Sequence, residues 1–175
     1  MGYMVEDRHL RRAFLDAMAA DDRISHLAGE TVTAQSVSGT DTTVTLASGK
    51  TITGRLLVGA DGRRSGTAER AGIKRTGWGY GQTAVVCAVK HEKPHGGIAH
   101  QFFMPNGPLA ILPLTKDRSS IVWSEADARA ADLMAMDDAD FLTALQPAFG
   151  SFLGQLSLTG ARYSYPLGLT LANSL

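Results

Sequence analysis

The stretch Leu56-Leu57-Val58-Gly59-Ala60-Asp61-Gly62 constrains this chain more than any other. A short continuous apolar run is the pattern of a strand covered on both faces, and here the run stops at an Asp-Gly turn. Gly59 and Ala60 are small enough for a ligand or a second backbone to approach closely. Asp61 falls at the carboxyl end of the expected strand, where open α/β sheets bind their ligands. A carboxylate there can accept hydrogen bonds from ribose hydroxyls. Gly62 supplies the turn, and the chain restarts as a short helix through Ala68-Glu69-Arg70-Ala71. Asp-Gly after an apolar run is also a common structural turn, so on these residues alone the ribose-binding and the purely structural readings both stand.

Around this turn the period of the sequence changes twice. Val5 to Ala20 places Leu10, Phe14, Ala17 and Met18 on one helical face. Thr31 to Val37, Thr42 to Leu46 and Thr51 to Thr53 alternate as strands, with Gly39-Thr40-Asp41 and Ser48-Gly49-Lys50 as turns. They predict a three-stranded antiparallel meander leading into Leu56. Gly77-Trp78-Gly79-Tyr80-Gly81 reads as a flexible connector between domains. Beyond it, Gln82 to Lys90, Ala99 to Met104, Leu109 to Leu114 and Ser119 to Ser124 read as strands of an antiparallel sheet. Ser124 is expected to cap a helix through Met134, with Asp127 at capping-box spacing. A second helix runs from Asp138 to Gln146 and ends at Pro147. Leu156 to Tyr165 returns as a strand, and the last ten residues show no further element.

Composition removes several classes of function. Lys plus Arg and Asp plus Glu both number 17, giving zero formal net charge. Nucleic acid is therefore not expected as a main partner, since phosphate neutralisation needs a basic surplus. Cys87, the single cysteine, lies in an apolar run and reads as a buried, inert thiol. Without a disulfide pair or an apolar N-terminal leader, a cytoplasmic setting is expected. No apolar stretch approaches the roughly 20 residues of a membrane span.

The remaining motifs carry weaker chemistry. His91-Glu92-Lys93-Pro94-His95 matches the zinc-hydrolase pattern His-Glu-x-x-His letter for letter. That mechanism needs both histidines on one helical face; Pro94 and Gly96-Gly97 argue for a hairpin loop instead. Arg63 and Arg64 either meet a pyrophosphate near the Asp-Gly turn or are solvated at a helix start. A Gly-x-Gly-x-x-Gly phosphate loop is missing from the 175 residues.

The Asp-Gly segment followed by Ser65 resembles the motif of the class A flavoprotein monooxygenases, the para-hydroxybenzoate hydroxylase type. Further segments narrow the likeness: Gly2 to Glu6 with Leu10-Arg11, Tyr80 to Ala84, Phe102 to Pro105 with Gly107 to Leu114, Val122-Trp123, and Tyr165-Pro166-Leu167. Together they are similar to the ubiquinone-biosynthesis hydroxylases, the 2-octaprenyl-6-methoxyphenol hydroxylase group in particular. The resemblance implies an α/β chain, α+β within these residues. Residues 1–76 would form the middle of an FAD-binding domain and 77–165 an antiparallel-sheet substrate domain with helices. Residues 166–175 would return toward the FAD domain. The family's Gly-rich loop and its later Gly-Asp motif are both missing, so an internal fragment of a longer enzyme is expected, one that binds no cofactor and is inactive by itself.

Carried over residue by residue, the resemblance assigns cofactor contact to Asp61 and Gly62, with Arg63 and Ser65 beside them and Arg8 or Arg11 as weaker candidates on the first helix. The implied reaction uses FAD and NAD(P)H to hydroxylate an aromatic ring, with a polyprenylated phenol as substrate. Phe102, Phe103, Leu112 and Trp123 lie on runs that could wall its pocket, although core packing is the more natural duty for each. Peripheral attachment to the inner membrane or to a biosynthetic complex fits such a substrate, and exposed apolar surface favours self-association. Two alternatives stay open: a non-enzymatic quinone- or lipid-binding module, and a zinc hydrolase using His91 and His95.

Overall fold

A computed structural model describes residues 2–174. The elements run α1 (Asp7–Ala19), β1 (Val32–Ser38), β2 (Asp41–Leu46), β3 (Thr51–Gly54), α2 (Gly66–Arg70), β4 (Arg75–His91), β5 (His100–Met104), β6 (Gly107–Pro113), β7 (Arg118–Ala126), α3 (Asp127–Ala135), α4 (Asp138–Phe149), β8 (Leu156–Leu158) and β9 (Tyr163–Ala172). The chain divides into two compact units. The larger comprises the segment through Leu10 with Trp78–Leu169, and the smaller Arg11–Gly77 with the residues from Thr170 onward.

In the larger unit the sheet order is β5-β6-β7-β4-β8, with β9 also paired to β4. Its core follows from strand alternation. Val85, Cys87 and Val89 on β4, Leu109 and Ile111 on β6, and Ile121 and Trp123 on β7 share one face and are buried. Helices α3 and α4 cover that face with Ala130, Leu133, Phe141, Leu145 and Phe149. The opposite face carries Val86, Ala88, Ala110, Leu112, Ser120 and Val122, all partly accessible.

Arg162 closes the helical layer. It donates to the carbonyls of Leu133 (2.9 Å) and Met136 (2.5 Å), and its guanidinium lies 4.7 Å from the centre of the Phe141 ring. One carbonyl of the last turn of α3 (Leu133) and that of its C-cap (Met136) are thereby satisfied by a cation, which suits a helix end.

In the smaller unit the expected meander forms, with strand order β1-β2-β3 and antiparallel pairing throughout. Among the described residues, only Leu46 of its hydrophobic side chains is buried.

Five local expectations change. Leu56 to Val58 forms no strand among the described residues; Leu56 is 80% and Val58 73% exposed. Without a paired neighbour the run stays extended but uncovered. Gly77 to Gly81 is not a loop: β4 runs unbroken from Arg75, and the boundary between units falls inside it. Here the backbones approach closely, since a Cβ on Gly168 of β9 would lie 2.7 Å from the Trp78 carbonyl oxygen. Ser124 stays in the β4–β7 ladder, and Ala126 is the N-cap of α3 without a side-chain bond. Pro147 sits within the last turns of α4, which ends at Gly150. Tyr163–Ala172 is a ten-residue strand where no terminal element was expected.

Candidate functional site

In the smaller unit the Asp61 carboxylate organises the turn that carries it. Oδ1 accepts from the Ser65 hydroxyl. Oδ2 accepts from the Thr67 amide and the Thr67 hydroxyl, both at 3.0 Å. The Ser65 hydroxyl in turn accepts from the Ala68 amide at 3.0 Å and caps α2. These bonds, from Ser65 first and then the Thr67 amide, outweigh desolvation and hold the carboxyl far below the usual carboxylate range. Asp61 is thus an ionised, exposed acceptor at neutral pH. Oδ2 accepts two of these bonds and Oδ1 one.

Two glycines make this geometry possible. Gly62 has φ 79°, in the left-handed region. A Cβ on Gly59 would fall 2.8 Å from Thr67 Cγ2, so glycine lets the chain before Asp61 pass the helix start. Arg75 stitches the loop from behind, donating to the carbonyls of Arg63 (2.7 Å) and Ser65 (3.2 Å). Gln35 joins β1 to α2: its amide donates to the Thr67 carbonyl at 3.1 Å and accepts from Arg70 at 3.2 Å.

The predicted cofactor residues therefore divide. Asp61, Gly62, Arg63 and Ser65 are brought together in one turn, with Arg63 exposed. Arg8 belongs to the larger unit, where it forms an ion pair with Glu6 at 2.9 Å. Arg11 belongs to the smaller unit and is exposed on α1. Thr67, Arg75 and Gln35 escaped the sequence reading; Thr67, six residues past Asp61, carries no local motif.

The predicted pocket residues divide by strand parity. Phe102, Leu109 and Trp123 stand in one register row on the helix-covered face. Trp123 is core, 6.4 Å from the Phe141 ring, while Phe102 packs at the sheet edge against Phe152. Phe103 and Leu112 alternate onto the opposite face, where Phe103 is 85% exposed. Cys87 lies in the core, and burial pushes its thiol up to about 12, which makes it a poor nucleophile.

The histidine motif lacks the helix that a zinc hydrolase requires. His91 ends β4 and His95 lies in the following turn. All four ring nitrogens are committed to the protein. His91 Nδ1 is 2.7 Å from the Lys93 carbonyl and Nε2 is 3.1 Å from the Ser119 hydroxyl. His95 Nε2 is 2.8 Å from the Leu114 carbonyl, and its Nδ1 accepts from the Gly97 amide at 2.9 Å. Among the described residues no third His, Cys, Asp or Glu completes a metal cluster. The zinc-hydrolase alternative is withdrawn on this geometry.

The open face of the larger unit's sheet bears a cavity of about 460 Å³. Met4 to Asp7 form one wall and Val86, Ala88, Leu114 and Ser120 the floor, with Thr159 to Ala161 and Tyr163 closing the end. Glu6 anchors the wall. Its carboxylate accepts from Arg118 at 2.9 Å, and Arg118 also donates to the Thr115 hydroxyl at 2.9 Å. Desolvation raises the Glu6 pKa, but the Arg118 and Arg8 bonds prevail and lower it.

Among the described residues no helix is long and apolar enough to cross a membrane. No protein-family model matches the chain. The ubiquinone hydroxylase UbiL of Rhodospirillum rubrum is 44% identical over 173 residues, covering 99% of this chain and 40% of UbiL. The 3-demethoxyubiquinol 3-hydroxylase of Escherichia coli is 31% identical over 95% of this chain and 42% of its own length. In fold, a flavoprotein/dehydrogenase from Cytophaga hutchinsonii superposes with TM-score 0.74 at 15% identity, over 99% of this chain and 45% of that one. PqsL of Pseudomonas aeruginosa, a probable FAD-dependent monooxygenase, superposes with TM-score 0.65 at 20% identity, over 86% of this chain and 46% of that one. The chain thus spans less than half the length of these relatives. By sequence, over the segment that it spans, it belongs to the ubiquinone-biosynthesis hydroxylase family.

Proposed function

We propose that this chain supplies the Asp-Gly turn and the substrate-facing sheet of a monooxygenase that uses FAD and NAD(P)H to hydroxylate a polyprenylated phenol in ubiquinone biosynthesis. The observation that carries the proposal is 44% identity to a ubiquinone hydroxylase across 99% of the chain. The turn fits a flavin nucleotide. Asp61 stays ionised and exposed at neutral pH, where it can accept from a sugar hydroxyl, and Gly59 and Gly62 add no side chain of their own on either side of it. Arg63 and Ser65 flank that position. When bound, the flavin supplies the activation of oxygen. The chain's own residues orient and exclude water: Phe103 and Leu112 lie on the open sheet face, and Trp123 stiffens that sheet from behind.

The 175-residue polypeptide by itself is proposed to hold no FAD and to show no hydroxylation, because a pyrophosphate needs a Gly-rich loop and helix N-terminus that these residues do not contain. Exposed Leu56, Val58 and Val37 favour its self-association. Ile98 (58% exposed) and Phe103 would suit peripheral contact with a membrane surface or a biosynthetic complex. A second reading, a quinone-binding module without catalysis, draws on the apolar cavity in the larger unit.

A segment exchange tests the proposal. Residues 2–174 replace the matching segment of the R. rubrum hydroxylase, and quinone intermediates are followed by mass spectrometry in cells lacking that enzyme. The expected result is restored hydroxylation. A folded, flavin-loaded chimera that forms no hydroxylated product would contradict the proposal and leave the binding module.

A further inference from the structure

The sheet of the larger unit ends on one side at β8, and the backbone of that strand is half unpaired. The Thr159 amide donates to the Ala88 carbonyl at 2.9 Å, in the register that pairs Leu158 with Val89, Ser157 with Lys90 and Leu156 with His91. Along an antiparallel strand the backbone polar groups alternate between its two sides. Thr159 and Ser157 therefore address β4, while Leu156 and Leu158 turn their amides and carbonyls outward. Among the described residues no strand lies beyond β8. Its outward amides and carbonyls stand in a row, as a template for another strand.

A groove lies on each side of this edge. Leu142, Thr143, Gln146 and Pro147 of α4, with Gln155 and Leu156, line one of about 370 Å³. Lys90, Glu92, Asp117 and Ser157, again with Gln155 and Leu156, line another of about 490 Å³. The second is acidic on balance, with two carboxylates against one ammonium. Glu92 accepts from the Gln155 amide at 3.0 Å, which fixes its carboxylate beside the start of β8.

We propose that β8 takes up an extended segment of a partner protein as an added antiparallel strand. Main-chain bonds to Leu156 and Leu158 would hold it, and the two grooves would select its side chains. Residues opposite Leu156 and Leu158 share the helix-covered face and meet Leu142, so they are apolar. The residue opposite Ser157 points to the open face and is free to vary. The residue opposite Gln155 meets Glu92 and Asp117, so it is basic. Because the added strand runs backwards, its motif reads apolar, any, apolar, basic from the N-terminus. A second copy of β8 fits less well. Paired with itself about Ser157, it would set Thr159 opposite Gln155 and leave both carboxylates unanswered.

The test is an amide NMR titration of the 175-residue chain with the peptide acetyl-Thr-Val-Thr-Val-Lys-amide. The expected result is saturable shifts centred on Leu156 and Leu158, whose amides also exchange more slowly. N-methylation of both valine amides, which would face β8, should abolish binding; N-methylation of the central threonine, which would face away, should spare it. Asp117→Asn should weaken the lysine peptide by about two- to fivefold, as an exposed ion pair implies, and leave a norleucine analogue unchanged. Binding that survives methylation of both valines would overturn the proposal, as would shifts confined to other segments or no shift at millimolar peptide. Protection of Leu156 and Leu158 that grows with the concentration of the chain alone would assign the edge to a second copy instead. The same protection in the flavin-loaded chimera without peptide would assign it to the enzyme's own remaining segments. Either result overturns the partner.

Discussion

The two units are built on different physics. The larger buries a continuous layer, from Val85 and Ile121 in the sheet to Phe141, Leu145 and Phe149 in α4. Among the described residues the smaller buries only Leu46 of its hydrophobic side chains and leaves Leu56, Val58 and Phe14 exposed. What shapes its Asp-Gly turn is polar: the Asp61 carboxylate with Ser65 and Thr67, and Arg75 across the loop. Hydrophobic burial is non-directional and yields a rigid platform. A hydrogen-bonded turn places one charged group and leaves it wet, which suits a polar ligand.

The largest effect should come from the platform. Phe141→Ala removes a fully buried ring, and about 3–5 kcal/mol of stability is expected to go with it. Thermal unfolding followed by tryptophan fluorescence reads this, and little change would mean that the helical layer contributes less than its burial implies. Leu46→Ala should cost about 2–3 kcal/mol, and hydrogen exchange should show the loss in β1 to β3 with β4 to β7 still protected. Equal loss in both sets of strands would merge the two units into one cooperative block.

Acid sharpens the contrast. The folded-state pKa of Asp61 lies below its value in an unfolded chain, so its contribution is complete above about pH 4 and disappears as pH falls through the folded value. Exchange of the Thr67 amide should therefore accelerate only at the acid end of that range, while the core of the larger unit stays protected. The smallest effect belongs to the Glu6–Arg118 pair. Glu6→Gln should cost no more than about 1 kcal/mol, since the pair is partly solvated. Its lowered carboxyl pKa means that any contribution fades as pH falls, which a melting series in dilute and concentrated salt would detect.

Legibility in the sequence follows the same division. Period-two alternation and glycine turns made the meander and the strands of the larger sheet readable, because both signals are local. The Asp-Gly turn was readable for the same reason. The glycines from Gly77 to Gly81 misled, since β4 runs through them and pairs with β9, a distant strand that no local pattern records. Phe102 and Phe103 are adjacent letters, but the register with Leu109 and Pro108 sends them to opposite faces. Glu6 entered only through the family likeness and Arg118 not at all: their pairing joins distant segments. Arg63 and Arg64 kept their ambiguity, because both are exposed.

The most direct test of the account is flavin retention by the chimera with and without Asp61. The chimera is expected to carry about one FAD per chain, measured by absorbance after gel filtration. Asp61→Ala should weaken FAD affinity by at least about tenfold, as loss of a charge-assisted hydrogen bond implies, while the melting transition of the larger unit stays where it was. Full FAD occupancy in Asp61→Ala, with unchanged affinity, would show that this carboxylate serves only its own turn.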